Sequence, residues 1–203
     1  MKDLPHSYDM VVFTAPSGAG KTTIVHHLLK KYKSYFAFSI SATTRAKRKN
    51  EREGVDYFFI NNKQFKEKIN DDDFIEWEQV YEDRYYGTLR SEVDRIIKSG
   101  KKVIFDIEIN GAQSIKNVYQ DRCLVIFVKP PSFRVLVQRL INRKSESPES
   151  IEDRIKRIKM ELLFEKTFDM VLLNDTLKET LVNAEKIIES HVLNLSSDTN
   201  HAD

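Results

Sequence analysis

Short apolar runs alternate with longer amphipathic stretches along most of the chain. Apolar runs bounded by polar residues are typical of buried parallel strands, and they fall at 10–14, 102–106, 123–128 and 170–173. Apolar positions three and four residues apart predict helices at 21–33, 89–99, 111–119, 132–142, 150–165 and 177–193. This alternation indicates an α/β fold with a mostly parallel sheet and right-handed crossovers.

Two segments interrupt this alternation of strands and helices. Between 37 and 88 the chain becomes polar and aromatic, and the pattern there predicts only short strands at 57–60 and 74–77. Between 134 and 157 it is dense in charge, and the tail at 196–203 is polar. We therefore expect one domain whose regular core carries two inserted regions.

Composition narrows the class of protein. The 203 residues are 40% hydrophobic and 32% charged, with a net charge of +2, so charge gives no argument for binding nucleic acid or an anionic membrane. No apolar run has the length of a membrane span, and no signal-peptide pattern opens the chain. The single cysteine, Cys123, lies in an apolar run, so we expect a buried thiol, no disulfide within the chain and a cytoplasmic location.

The turn after the first predicted strand carries a phosphate-binding motif. Residues 15–22 fit the spacing G-x-x-x-x-G-K-[ST], with alanine in the first glycine position. Glycines let successive N–H groups point inward at phosphate oxygens, and the following helix adds its positive N-terminal end. The lysine supplies a mobile cation and the next hydroxyl can bind Mg²⁺. We expect the ATP phosphates to bind Ala15, Pro16, Ser17, Gly18, Ala19, Gly20, Lys21, Thr22 and Thr23.

A candidate metal-binding residue, which is acidic, follows another predicted apolar strand. The run 102–105 ends at Asp106, where ligands of open α/β sheets bind. This arrangement resembles a Walker B motif, and we expect Asp106, with Thr22, to hold Mg²⁺ directly or through water.

The polar insertion contains several motifs that together are typical of one protein family. They are the segments 38–48 (FSISATTRAKR), 51–57 (EREGVDY), 74–77 (FIEW) and 85–88 (YYGT). In this order, with the phosphate loop, they resemble guanylate kinase, which phosphorylates GMP from ATP; the resemblance runs from about residue 11 to 188.

That resemblance implies a core at 1–36, 88–130 and 166–195, a GMP-binding subdomain at 37–87 and a helical lid at 131–165, which is the nucleoside monophosphate kinase fold. It implies GMP contacts from Ser41, Arg45, Arg48, Glu51, Tyr57, Glu76, Tyr86, Thr88 and Glu108. It implies ATP contacts from Arg139 and Asn174, and catalytic cations at Lys21, Arg45, Arg143 and Arg154. These residue types suit the ligand, because arginine forks bind phosphate and carboxylates accept the N1–H and N2–H₂ of guanine.

The sequence departs from the family pattern at Ala15, at Glu108 (usually aspartate) and at Lys144 (usually glycine). Two alternatives stay open: a non-catalytic guanylate-kinase-like module that binds proteins, and a related kinase that acts on a phosphorylated sugar. Monomer and homodimer are both compatible with the sequence.

Overall fold

The computed structural model describes residues 8–81, 83–142 and 151–195, except for the side chains at 81, 139–142 and 151–154. Its strands are β1 (Met10–Thr14), β2 (Phe36–Phe38), β3 (Ala42–Thr43), β4 (Phe58–Phe59), β5 (Phe74–Tyr81), β6 (Arg84–Leu89), β7 (Lys102–Asp106), β8 (Cys123–Lys129) and β9 (Met170–Leu173). Its helices are α1 (Lys21–Lys31), α2 (Asn62–Asn70), α3 (Arg90–Lys98), α4 (Ile109–Tyr119), α5 (Phe133–Asn142), α6 (Ile151–Leu162) and α7 (Leu177–His191).

Five strands form the parallel sheet that the sequence predicts. Their order is β2-β7-β1-β8-β9, and β1 lies at the centre with Met10 opposite both Val103 of β7 and Cys123 of β8. Every residue of β1 is buried, which explains its unbroken apolar run. The edge strand β2 was not predicted, because three residues carry too little pattern to identify a strand.

Helices cover both faces of this sheet. Val11 and Phe13 pack in one hydrophobic cluster with residues of α1 and α7, whereas Met10 and Val12 pack in another with residues of α3 and α4. The two-residue alternation along β1 thus builds both cores at once. Cys123 is fully buried in the second core, and burial raises the pKa of its thiol to about 12, as expected of an unreactive cysteine.

The polar insertion folds as a second, mixed sheet of order β4-β3-β6-β5. Its small core contains Phe65 of α2, which stacks on Phe74 with ring centroids 4.4 Å apart. The sequence prediction missed α2 and β6, although Asn61 and Gln64 form a capping box at the start of α2. The predicted strands at 57–60 and 74–77 correspond to β4 and to the start of the longer β5.

All six predicted helices are found, with their ends shifted by at most a few residues. The largest difference is in the helix predicted at 150–165, since α6 ends at Leu162 and a 3₁₀ turn, Leu163–Thr167, follows it. Arg143 and Lys144 lie outside the described residues. Within the described ranges, no helix is long and apolar enough to cross a membrane.

Candidate functional site

The turn between β1 and α1 has the conformation that a phosphate loop requires. Gly20 precedes α1 with φ 95°, in the left-handed region that glycine adopts without strain. A Cβ there would also lie 2.4 Å from the Asn174 side-chain nitrogen, so glycine is required for space as well. Ala15 is buried and fits within the first core, so the departure from glycine at this position is accommodated.

Asn174 is hydrogen-bonded to the backbone of this loop. Its side chain is buried, and its Nδ2 donates to the Ala19 carbonyl at 2.6 Å. The position follows β9, as the sequence indicated, and the described contact is with the protein backbone. A role in ATP binding stays a prediction.

Lys21 and Asp106 meet at the carboxyl ends of β1 and β7. The Lys21 ammonium is hydrogen-bonded to Asp106 Oδ1, and the two side chains are only 14% and 11% exposed. Burial alone would lower the pKa of Lys21, but the charges of Asp106 and Glu108 raise it above its usual value. The lysine is therefore held as a cation beside the phosphate loop.

Arg45 is the centre of a second cationic cluster, on the small sheet. Its guanidinium forms a bidentate pair with Glu51 at 2.7 and 2.9 Å, and its Nε donates to the Tyr86 hydroxyl at 3.2 Å. The guanidinium carbon also lies 5.3 Å from the centre of the Tyr57 ring. These contacts hold the arginine with the two tyrosine rings beside it.

Glu51 is placed by these bonds as a partner of Arg45. It also accepts from the Arg48 backbone N–H at 2.8 Å, and the hydrogen bonds from Arg45 contribute most to lowering its pKa to about 2. A carboxylate cannot accept a hydrogen bond from an ionised phosphate, so this geometry favours an orienting role over direct contact with GMP. The Arg48 side chain is exposed and does not line the cleft.

Glu76 lies deeper in the cleft between the two sheets. Its Oε1 accepts from the Thr88 hydroxyl at 2.6 Å, across the β5–β6 pair. Burial raises the pKa of Glu76, outweighing the hydrogen bonds from Thr88 that lower it. Thr88 is fully buried and its hydroxyl is engaged, so it positions the carboxylate.

One cleft joins seven of the residues that the sequence singled out. Its walls include Ser17, Ser41, Tyr57, Glu76, Tyr86, Asp106 and Glu108. Tyr57 lies beside Arg45 and close enough to Lys21 for its charge to act on the phenol. The cleft thus brings hydroxyl and carboxylate groups together, with two cations close by. Thr22 and Thr23 are exposed at the start of α1.

Helix α6 adds wall residues that sequence reasoning missed. Arg157 donates to Glu161 Oε1 at 2.9 Å and lies 3.9 Å from Glu108 Oε2, while Ile158 is buried against the first core. The spacing of Arg157 and Glu161 by one helical turn was the visible signal, but it is common on exposed helices. Arg139 and Arg154 lie in α5 and α6, whose side chains at these positions are not described.

Comparison with known proteins decides the family. A family model described as guanylate kinase matches residues 7–191. The chain belongs to the guanylate kinase family. A guanylate kinase of Bacteroides fragilis is 43% identical over 180 residues, covering 89% of this chain and 88% of the relative. A guanylate kinase of Porphyromonas gingivalis is 42% identical over 183 residues, covering 90% of this chain and 97% of the relative.

A solved guanylate kinase structure shares the fold. The crystal structure of guanylate kinase from Anaplasma phagocytophilum matches with a TM-score of 0.69, covering 92% of this chain and 87% of that one. At 24% identity, this likeness bears on the fold alone. It confirms the α/β fold class of the guanylate kinase family for this chain.

Proposed function

We propose that this protein transfers the γ-phosphoryl group of ATP to GMP, giving ADP and GDP. The observation that carries the proposal is one cleft lined by Ser17 of the phosphate loop, by the two tyrosines that contact Arg45 and by the half-buried carboxylate of Glu76. A GMP phosphate oxygen forms a bond to the γ-phosphorus, and the bond from that phosphorus to the oxygen of ADP breaks. Such transfer needs alignment and charge neutralisation more than covalent chemistry.

The GMP phosphate is proposed to bind the cluster of Arg45, Tyr57 and Tyr86. The Arg45 guanidinium is already oriented by Glu51, so binding does not have to order a free side chain. Arg48 is proposed to close on the phosphate from the solvent side, because its side chain is exposed near this cluster.

Guanine is proposed to bind beside Glu76, which accepts from N1–H and the N2 amine. Ser41 offers a hydroxyl on the cleft wall, and Glu108 offers a second carboxylate. Thr88 is proposed to serve the base by holding Glu76. A half-buried acceptor selects against adenine, whose N1 is itself an acceptor and would leave the carboxylate without a donor from the base.

The ATP phosphates are proposed to bind the N–H groups of residues 15–23, with Lys21 as the catalytic cation. Asp106 and the Thr22 hydroxyl are oxygen donors of the kind that Mg²⁺ prefers, so these residues fit the metal that the family generally uses. When bound, Mg²⁺ would neutralise phosphate charge. The lid arginines Arg139, Arg143 and Arg154 are proposed to close over ATP.

The division into a core, a GMP-binding subdomain at 37–87 and a lid at 131–165 belongs to this proposal. The small mixed sheet supports the second of these as a separate folding region with its own core. A cytoplasmic location is proposed with the metabolic role, and the oligomeric state, monomer or homodimer, stays a prediction.

The test is a coupled assay that detects ADP with GMP, AMP, UMP and ribose bisphosphate as acceptors. We expect turnover with GMP at least about a hundredfold above AMP in kcat/KM. Preferred turnover of the sugar phosphate would favour the sugar kinase. No turnover with any acceptor, in a folded protein, would favour the protein-binding module.

A further inference from the structure

Helix α4 packs against β5, and Gly111 of α4 lies directly against the Glu76 carboxylate. A Cβ built on Gly111 would lie 2.9 Å from Glu76 Oε2 and 3.3 Å from Glu76 Cδ. Real Cβ atoms essentially never come within 3.0 Å of another heavy atom. Any side chain at this position would therefore move the carboxylate.

The backbone gives no other reason for glycine at this position. Gly111 lies inside α4 and is not among the described glycines with positive φ. Glycine within a helix costs about 0.5–1 kcal/mol relative to alanine, so the sequence accepts a weaker helix here. The remaining close neighbour is Ile107 Cδ1 at 3.5 Å, which is an ordinary van der Waals contact.

The other side of the carboxylate is already occupied. Thr88 donates to Oε1 at 2.6 Å, and the Thr88 side chain is fully buried. A carboxylate pushed away from Gly111 would have to rotate about its last torsion or abandon the Thr88 hydroxyl. Either change alters the direction in which its acceptor orbitals point into the cleft.

We propose that Gly111 is a specificity-determining positioning residue, which leaves the space in which Glu76 is held between the Thr88 hydroxyl and helix α4 to read guanine. The inference rests on the proposed function, because it names what sets the aim of the guanine acceptor. Gly111 acts through Glu76 and needs no contact with the nucleotide.

The central experiment compares Gly111→Ala with Asn117→Ala on the same helix. Asn117 is exposed, so its replacement tests the gain in helix propensity without the contact to Glu76. We expect Gly111→Ala to raise the Kd for GMP, measured by calorimetry without ATP, about tenfold to hundredfold. We expect an unchanged KM for ATP, an equal or higher Tm, and no change in GMP binding for Asn117→Ala.

A rescue experiment separates positioning from general damage. Glu76→Asp shortens the side chain by one methylene and so moves the carboxylate away from helix α4. The methyl group added by Gly111→Ala then no longer comes too close to that carboxylate. We expect Gly111→Ala to weaken GMP binding by less than about threefold in the Glu76→Asp background, although it costs tenfold or more in the parent.

Three results would overturn the proposal. They are a GMP affinity of Gly111→Ala within twofold of the parent, an equal loss in the Glu76→Asp background, and a clear fall in Tm, which would show that the methyl group strains the backbone instead of moving the carboxylate. If the parent itself binds no GMP, the proposed function fails, and that result is read from the parent alone.

Discussion

Replacing Glu76 with glutamine changes a half-buried carboxylate into an amide of nearly the same shape. In the parent, Oε1 accepts from Thr88, so the amide oxygen of the variant can keep that bond while its NH₂ group turns toward the cleft. The variant then offers guanine a donor where the parent offers an acceptor. We expect Glu76→Gln to keep the fold and to lose part of its preference for GMP.

The size of the effect follows from the hydrogen bonds involved. IMP has the N1–H and O6 of GMP but lacks the amine, so the comparison of GMP with IMP isolates one donor. A hydrogen bond to a charged group contributes about 1.5–3 kcal/mol, so the parent should prefer GMP over IMP by roughly one to two decades in kcat/KM. Glu76→Gln should cost GMP more than IMP and reduce this ratio to within about threefold.

Stability provides an independent readout with a definite sign. Burial raises the pKa of Glu76, so its contribution to stability is present below the unfolded pKa of about 4.3 and is lost as the pH rises through the folded value. Glutamine never ionises. The Tm of Glu76→Gln relative to the parent should therefore increase as the pH rises above about 4.3.

The assay measures kcat/KM for GMP, IMP and AMP at matched ATP and Mg²⁺, with thermal unfolding at each pH. Glu67→Gln on the exposed face of α2 serves as the control, since it removes a carboxylate away from the cleft. An unchanged ratio of GMP to IMP would refute the reasoning, and Glu108 would become the better candidate for reading the amine.

Three further outcomes are expected. Lys21→Met should retain the fold by circular dichroism but lose several orders of magnitude in turnover, and activity within tenfold of the parent would contradict its role. Glu51→Gln should lower the free energy of unfolding by about 1–2 kcal/mol at neutral pH, because the pKa of Glu51 is lowered to about 2 by Arg45. In urea titrations that difference should shrink below about pH 4.3, and a constant difference would refute the ion pair. Finally, GMP with a non-hydrolysable ATP analogue should compact the protein in small-angle scattering, and identical curves would count against a closing lid.

The regular core could be predicted from sequence because its signals are local. The buried strand β1, the glycine turn and α1 follow one another without interruption, and each has its own pattern. The small sheet could not be predicted in the same way. Its strands β3 and β4 have two residues each, and they pair with each other although they lie 16 residues apart in the chain. On its other side, β3 pairs with β6, which lies more than 40 residues later.

The candidate site shows the same division. Residue types and spacing predicted roles for Lys21 and Asp106, and the family resemblance predicted one for Glu76. The contacts that orient them could not be read from sequence, since Gly111 meets Glu76 only where α4 crosses β5. Arg157 likewise reaches Glu108 only through the packing of α6. Position along the chain carries no information about such approaches.

The two cations proposed to bind phosphates already have carboxylate partners, and their shapes determine how each can take up a phosphate. Arg45 has five N–H donors in a plane, and its bonds to Glu51, Tyr86 and the Ala46 carbonyl leave one Nη2 donor for a phosphate. Lys21 is a compact charge beside Asp106, and both side chains are mostly buried. A phosphate at Lys21 therefore meets the repulsion of the Asp106 carboxylate, while Asp106 loses part of its compensation.

If the protein has the proposed function, the close pairing of Lys21 with Asp106 gives a physical reason for nucleotide and metal to bind together. A divalent cation held near Asp106 would reduce the repulsion between Asp106 and a phosphate at Lys21, and the phosphate would supply negative charge that favours the cation. Each ligand would thus lower the electrostatic cost of the other.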